Sequence, residues 1–108
     1  MDREARKGQN EAWFRELNER LEHRALAKRP IGETFEIVCE CDREDCTERI
    51  SISFDQYEDV RASATTFIVA PGHTDPEVED VVRRAGTYEV IDKSGEAALV
   101  AVEENPRA

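Results

Sequence analysis

The three cysteines of this 108-residue chain fall within eight residues, at Cys39, Cys41 and Cys46. A histidine follows later, at His73, directly after a Pro-Gly pair that is typical of a turn. Three thiolates and one imidazole make up a complete tetrahedral shell for zinc. The pattern therefore predicts a zinc ion that is held by these four side chains and that staples a small domain.

Two other interpretations of the cysteines are open. They could be inert thiols buried on the apolar face of a strand, or they could be redox-active thiols. Clustering at the tip of a predicted hairpin favours metal binding, because unrelated core cysteines would be scattered. The neighbouring acids attract cations but also raise thiol pKa values, which opposes a reactive thiolate. These acids are Glu40, Asp42, Glu44 and Asp45.

The fourth ligand is open to three alternatives, namely His73, an acid such as Asp45, or a water molecule. A water would leave an exchangeable position and would permit hydrolytic chemistry. His23 lies in the predicted N-terminal helix and is interpreted as an ordinary surface histidine.

The composition favours a stapled domain. Hydrophobic residues make up 39% of the chain and charged residues 37%, so the core is small and gains from a metal. The net charge is −10, and the excess of acids lies after residue 31, which disfavours direct binding to nucleic acid. The sequence has neither an apolar run long enough to span a membrane nor an export signal. We therefore expect a cytoplasmic protein without membrane contact, in a compartment that disfavours disulfides.

The N-terminal region predicts one long helix. Residues 1–9 are polar and are predicted to be disordered, and the helix is predicted over 10–29, with Asn10 as N-cap and a break at Pro30. Glu11–Arg15 and Glu16–Arg20 are predicted to be exposed acid–base pairs.

An apolar stripe runs along this helix at three- and four-residue spacing. It is formed by Phe14, Leu17, Leu21 and Ala25, with Trp13 beside it. The stripe could pack on the sheet of the same chain. Alternatively, Trp13, Phe14, Leu17 and Leu21 could bind a protein partner or a second copy of the chain.

Alternating residues predict a hairpin that carries the cysteines. The first strand is predicted over Thr34–Cys41, with Phe35, Ile37, Cys39 and Cys41 on its inner face and Glu40 on the other face. The second strand is predicted over Arg49–Phe54. Ser53 and Gln56 form a capping-box pattern for a short helix that ends at Arg61.

The remainder predicts a compact α+β domain over 33–102. It comprises a strand over Thr65–Ala70, a short helix from Asp75 to a stop at Gly86, and a final hairpin of Thr87–Ile91 with Ala97–Val102. Residues 103–108 are predicted to be a flexible tail. The predicted fold class is thus a long N-terminal helix, a small antiparallel sheet and two short helices, stapled by zinc.

Catalytic motifs are absent from the sequence. There is no Gly-rich phosphate loop, no Gly-x-Ser-x-Gly and no His-Glu-x-x-His, and the ligand pattern of the zinc deaminases is missing. We therefore expect a non-enzymatic adaptor or regulator that acts through protein contacts. A thiol-based redox or metal sensor and a hydrolytic metal site are the alternatives.

Several segments resemble a group of short, uncharacterised actinobacterial proteins. The resemblance covers roughly residues 10–105, and its hallmarks are the Cys-Glu-Cys-x4-Cys block and the Pro-Gly-His turn. It implies that the three cysteines and His73 are used together. No activity is implied, so no catalytic residue is carried over.

Overall fold

The computed structural model describes residues 3–28, 34–41, 43, 45–77 and 79–107, with side chains from residue 11 onward. Within these ranges lie three helices: α1 (Arg3–Lys28), α2 (Phe54–Arg61) and α3 (Gly95–Glu103). The strands are β1 (Thr34–Val38), β2 (Arg49–Ser53), β3 (Thr66–Val69), β4 (Glu79–Arg84) and β5 (Glu89–Lys93). β1 pairs with β2, and the second sheet has the order β3-β5-β4, all antiparallel. The α+β class is confirmed, with two small sheets in place of one.

The predicted hairpin of β1 and β2 is confirmed. Phe35 lies opposite Ile52, and Ile37 lies opposite Ile50, so the four side chains share one buried face. The Cys39 N–H donates to the Glu48 carbonyl at 2.9 Å, which continues the pairing to the first cysteine. The regular strand ends at Val38, earlier than predicted, because the chain bends there and brings the following thiols together.

The capping box before α2 is also confirmed. The Gln56 N–H donates to the Ser53 hydroxyl at 3.1 Å, and the Ser53 N–H donates to the Gln56 side chain at 3.3 Å. Two otherwise unpaired N–H groups are thereby satisfied at the start of the helix. α2 buries Tyr57, Val60 and Arg61, and β3 then follows within the predicted Thr65–Ala70.

The helix predicted from Asp75 to Gly86 is wrong. The Glu79 N–H donates to the Asp75 carbonyl at 3.0 Å, so one helical turn forms, and β4 begins at Glu79. Pairing with β5 and the β-branched pair Val81-Val82 favour a strand over further helix. Gly86, predicted as a helix stop, instead lies in the β4–β5 turn at a φ of 81°.

The prediction of a final hairpin is wrong for its second strand. Thr87–Ile91 does lead into β5, but the predicted strand Ala97–Val102 lies in α3. Alanine and leucine have high helix propensity, and a helix buries Ala97 and Ala101 completely. These small side chains permit the close approach of α1, which is in contact with α3.

α1 is longer than predicted. It begins at Arg3, so residues 3–9 are helical and the predicted N-cap at Asn10 is wrong. Arg, Glu, Ala and Lys in this stretch are good helix formers. The predicted break at Pro30, like residues 1–2, lies outside the described residues.

The buried face of α1 is polar. Glu11, Arg15, Asn18 and Glu22 recur at intervals of three and four residues, and each is at most 3% exposed. Glu11 and Arg15 are therefore not an exposed pair, whereas Glu16–Arg20 is one, at 3.1 Å. The apolar stripe lies to one side and is only half-buried.

The segment after α3 is attached to the body. Arg107, predicted to lie in a flexible tail, donates to Glu19 at 2.5 Å and to Glu58 at 2.6 Å. A weaker contact joins it to Glu22 at 3.4 Å. These ion pairs bring the segment against α1 and α2.

Candidate metal centre

The four predicted ligands come together in space. The Sγ atoms of Cys39, Cys41 and Cys46 and a ring nitrogen of His73 all lie within 4.8 Å of one another. The first two cysteines follow β1, Cys46 lies in the turn before β2, and His73 lies between β3 and β4. The four side chains could hold a metal ion. Asp45, the alternative fourth ligand, is exposed and does not belong to this group.

The sulfur–nitrogen distances match a tetrahedral shell. The Nδ1 atom of His73 lies 3.5 Å from Cys39 Sγ and 3.6 Å from Cys46 Sγ. Zinc bonds of about 2.3 Å to sulfur and about 2.0–2.1 Å to nitrogen place tetrahedral S and N ligands about 3.6 Å apart. These two separations are thus close to those expected between sulfur and nitrogen ligands of one tetrahedral metal ion.

A local turn positions His73. The His73 N–H donates to the Ala70 carbonyl at 3.0 Å, and Pro71 and Gly72 occupy the two central positions. Gly72 has a φ of 82°, which a type II turn requires at its third residue and which glycine adopts without a steric penalty. The Ala-Pro-Gly-His sequence therefore forms the turn that carries this ligand, and Glu89 of β5 supports the turn by accepting from the Gly72 N–H at 3.2 Å.

Backbone N–H groups point at all three sulfurs. The Ala70 N–H donates to Cys39 Sγ at 3.1 Å. The backbone N–H of Arg43 hydrogen bonds to Cys41, and the backbone N–H of Glu48 hydrogen bonds to Cys46. In both cases the donor lies two residues after the cysteine. N–H donors of this kind stabilise thiolates, the form in which cysteine binds metals.

The three thiols differ in acidity. The pKa of Cys41 is lowered to about 5, chiefly because the Cys39 side chain hydrogen bonds to it. The same hydrogen bond, together with burial, raises the pKa of Cys39, and burial raises the pKa of Cys46. The first thiolate therefore forms at Cys41. Because all thiols must be deprotonated to bind a metal, metal binding would release the protons of the other two.

Access to the site is one-sided. Cys39 and Cys41 are at most 1% exposed, whereas Cys46 and His73 are partly exposed. The two buried thiols lie in the hydrophobic cluster of the protein, as the inert-thiol interpretation requires. That interpretation does not account for the imidazole and the N–H donors directed at them.

Sequence reasoning missed Glu40. The alternation correctly puts it on the side of the chain opposite the cysteines, but α1 and β3 cover this side beyond the end of β1, and Glu40 is fully buried. Arg61 forms a salt bridge with it, and the Asn18 amide donates to it at 2.7 Å. The recurrence of polar residues at Glu11, Arg15 and Asn18 was the available signal that α1 buries a polar face.

The predicted partner-binding residues are all apolar, so they offer a contact surface and no metal-binding or catalytic group. Trp13 is 61% exposed and contacts Phe14 edge to face, with ring centroids 5.4 Å apart. Leu17 and Leu21 are half-buried, and His23 is exposed, as predicted.

No protein-family model matches this sequence, and neither curated proteins nor solved structures give a significant match. Among the helices of the described part of the chain, none is both long and apolar enough to cross a membrane.

Proposed function

We propose that this protein is a zinc-stabilised domain of the cytoplasm that has no enzymatic activity and acts as an adaptor or regulator through protein contacts. The convergence of Cys39, Cys41, Cys46 and His73 within 4.8 Å carries the proposal. A shell of three sulfurs and one nitrogen suits zinc, since soft thiolates disfavour magnesium and calcium. Four protein ligands leave no open position for a reacting water, which supports a structural role.

The exposed aromatic surface in the middle of α1 supports the contact role. Trp13 projects into solvent beside the half-buried Phe14, and aromatic side chains are enriched at protein interfaces. Together with Leu17 and Leu21, they would contact a protein partner or a second copy. The acidic net charge of −10 disfavours a nucleic-acid partner.

The test begins with native mass spectrometry and elemental analysis of protein purified without added metal. We expect one zinc per chain. Replacing His73 by Ala should weaken zinc binding by more than the roughly 10–100-fold that losing an outer-shell partner costs. Replacing the exposed His23 by Ala is the matched control and should change nothing.

Two results would count against the proposal. Wild-type protein with reduced thiols and less than half an equivalent of zinc would contradict a resident metal. Unchanged zinc affinity in His73→Ala would mean that a water or another group completes the shell, and a hydrolytic site would then be the better hypothesis.

A redox sensor is the second candidate, and the acidity of Cys41 together with the partial exposure of Cys46 favours it. Hydrogen peroxide would transfer one oxygen to the Cys41 thiolate and form a sulfenic acid. Its other oxygen would leave as hydroxide. Attack by the Cys46 thiolate would then form the disulfide and release a second hydroxide, which takes up a proton. Rapid disulfide formation in zinc-loaded protein under mild peroxide would favour this candidate, and inert thiols would favour the structural site.

A further inference from the structure

Consecutive residues at the end of β1 face two different environments. Cys39 and Cys41 contribute to the metal-binding group. Val38 and Glu40, which alternate with them, contact α1 through Asn18. A contact that fixes the position of the two cysteines therefore also restricts Val38 and Glu40, because all four residues share one short stretch of backbone. We name residues 38–41 the ligand segment.

Asn18 clamps the ligand segment to α1. Its side-chain amide donates to the Val38 carbonyl, and its side-chain oxygen accepts from the Val38 N–H, both at 2.8 Å. The same amide nitrogen donates to Glu40 at 2.7 Å. Three hydrogen bonds from one fully buried side chain thus hold a backbone that bears two of the four ligands.

Glu40 extends the clamp to the second sheet. Its carboxylate accepts from the Ile68 N–H at 2.9 Å, and its own N–H donates to the Ile68 carbonyl at 2.8 Å. A salt bridge joins it to Arg61 of α2. The position of the ligand segment is therefore linked to α1, α2 and β3 at once.

The packing of α1 against the rest of the chain depends more on hydrogen bonds and ion pairs than on buried apolar surface. Ala12 is the only fully buried apolar side chain of α1 over residues 11–28. Arg15 donates to the carbonyls of Ala64 at 2.6 Å and Ala101 at 2.7 Å. Hydrogen bonds from a charged donor of this kind contribute about 1.5–3 kcal/mol each, and water replaces them when the surfaces separate.

The rest of the described chain, here called the body, keeps its principal buried ion pairs if α1 undocks. Arg61 is paired with Glu40, and Lys93 is paired with Glu79 as well as with Glu11 of α1. Undocking would thus separate Lys93 from one of two carboxylates and leave both cations with a partner in the body. The large penalty for an unpaired buried charge is avoided.

We propose that metal binding and the docking of α1 are coupled through the ligand segment, so that loss of the metal releases α1 while the second sheet stays folded. The inference rests on the metal centre proposed above. Coupling of this kind is reciprocal: docking of α1 raises the metal affinity by the same factor by which the bound metal favours docking.

The first experiment measures zinc affinity by competition with a chelating dye. Replacing Asn18 by Ala removes the clamp but none of the four ligands, and we expect about 10–100-fold weaker zinc binding, as for other outer-shell partners. Replacing Glu16 by Gln is the matched control, because Glu16 lies on the exposed side of α1. Equal affinities for the wild type and Asn18→Ala would overturn the coupling and leave the metal centre intact, whereas no zinc in the wild type would overturn both.

The second experiment needs no variant. Hydrogen exchange of the wild-type protein is compared with zinc bound and after removal by a chelator. We expect faster exchange over residues 11–28 and retained protection in β3 and β5. Unchanged protection of α1 would contradict the inference, and so would loss of protection everywhere at once.

Discussion

Two of the three segments that deliver ligands to the metal centre are held in different ways. The turn at residues 70–73 positions His73 through one backbone hydrogen bond and one left-handed glycine, with a single contact from a distant side chain, Glu89. The ligand segment, residues 38–41, is positioned by side chains that are distant in sequence, Asn18 and Arg61 among them. One half of the site is thus local in origin, and the other half depends on the docking of two helices.

This difference has a physical consequence. A turn forms from its own residues and needs no partner. A buried polar cluster is stable only when every member is paired, because an unpaired charge in a low-dielectric interior is costly. We therefore expect the ligand segment to be the more fragile half, and three changes test this comparison.

The largest effect should follow replacement of Arg61 by Leu. The carboxylate of Glu40 is fully buried and would lose its cation, so we expect the free energy of unfolding to fall by about 3–5 kcal/mol. Urea denaturation of the zinc-loaded protein measures it. Replacing Arg83 by Leu is the control, since its pair with Asp59 is exposed and exposed ion pairs contribute little to stability.

A double variant tests whether the unpaired charge of Glu40 causes the loss of stability in Arg61→Leu. Replacing Glu40 by Gln together with Arg61 by Leu removes the buried charge as well as its partner, and it should recover part of the lost stability. If Arg61→Leu costs no more than Arg83→Leu, the buried pair does not hold the ligand segment.

The turn at residues 70–73 is tested by replacing Gly72 by Ala. A Cβ at this position meets nothing within 4 Å, so the cost comes from the left-handed backbone and should be about 1–2 kcal/mol. Gly86 has nearly the same φ, 81° against 82°, and equally open surroundings, which makes Gly86→Ala a matched control. Both variants should lose similar stability, but only Gly72→Ala should bind zinc more weakly.

Equal zinc affinities in the two glycine variants would mean that the turn does not set the position of His73. Parallel measurements of unfolding and of zinc competition separate backbone strain from the displacement of the ligand.

The same contrast explains what could be predicted from the sequence. The Pro-Gly-His turn, the Ser53–Gln56 capping box and the alternation of β1 depend on residues close together in the chain, and the structure bears them out. The grouping of the three cysteines and His73 was also predictable, because clustered cysteines followed by a histidine are an uncommon pattern that is typical of metal ligands. These features need little knowledge of what packs against them.

Other features depend on distant contacts. The Asp75-Pro76 signal predicts a helix, but it yields one turn before pairing with β5 makes the chain extended. Ala97–Val102 resembles a strand until the contact with α1 favours a helix that buries its alanines. The polar face of α1 escapes sequence reasoning because the buried cations and carboxylates that pair with it come from distant parts of the chain.

The smallest effect concerns Glu22, which lies on the polar face of α1 but contacts Arg107 instead of the ligand segment. Burial and the neighbouring carboxyl of Glu58 raise the pKa of Glu22 to about 8. A folded-state pKa above the unfolded value of 4.5 stabilises the protein most at low pH, and this contribution is lost as the pH rises toward about 8. Replacing Glu22 by Gln keeps the site neutral, so the stability advantage of the variant over the wild type should be smallest near pH 5 and should grow to roughly 1 kcal/mol or more at pH 9.

Urea denaturation of both proteins between pH 5 and pH 9 measures this difference. The pKa of Glu58, which the hydrogen bond from Arg107 lowers, adds acid sensitivity to both proteins and largely cancels when they are compared. Glu16→Gln on the exposed side of α1 should show no such pH dependence. Zinc affinity should stay unchanged in Glu22→Gln, because this polar contact does not reach residues 38–41. A loss of zinc binding in Glu22→Gln would show that the whole polar face of α1, and not Asn18 in particular, controls the metal centre.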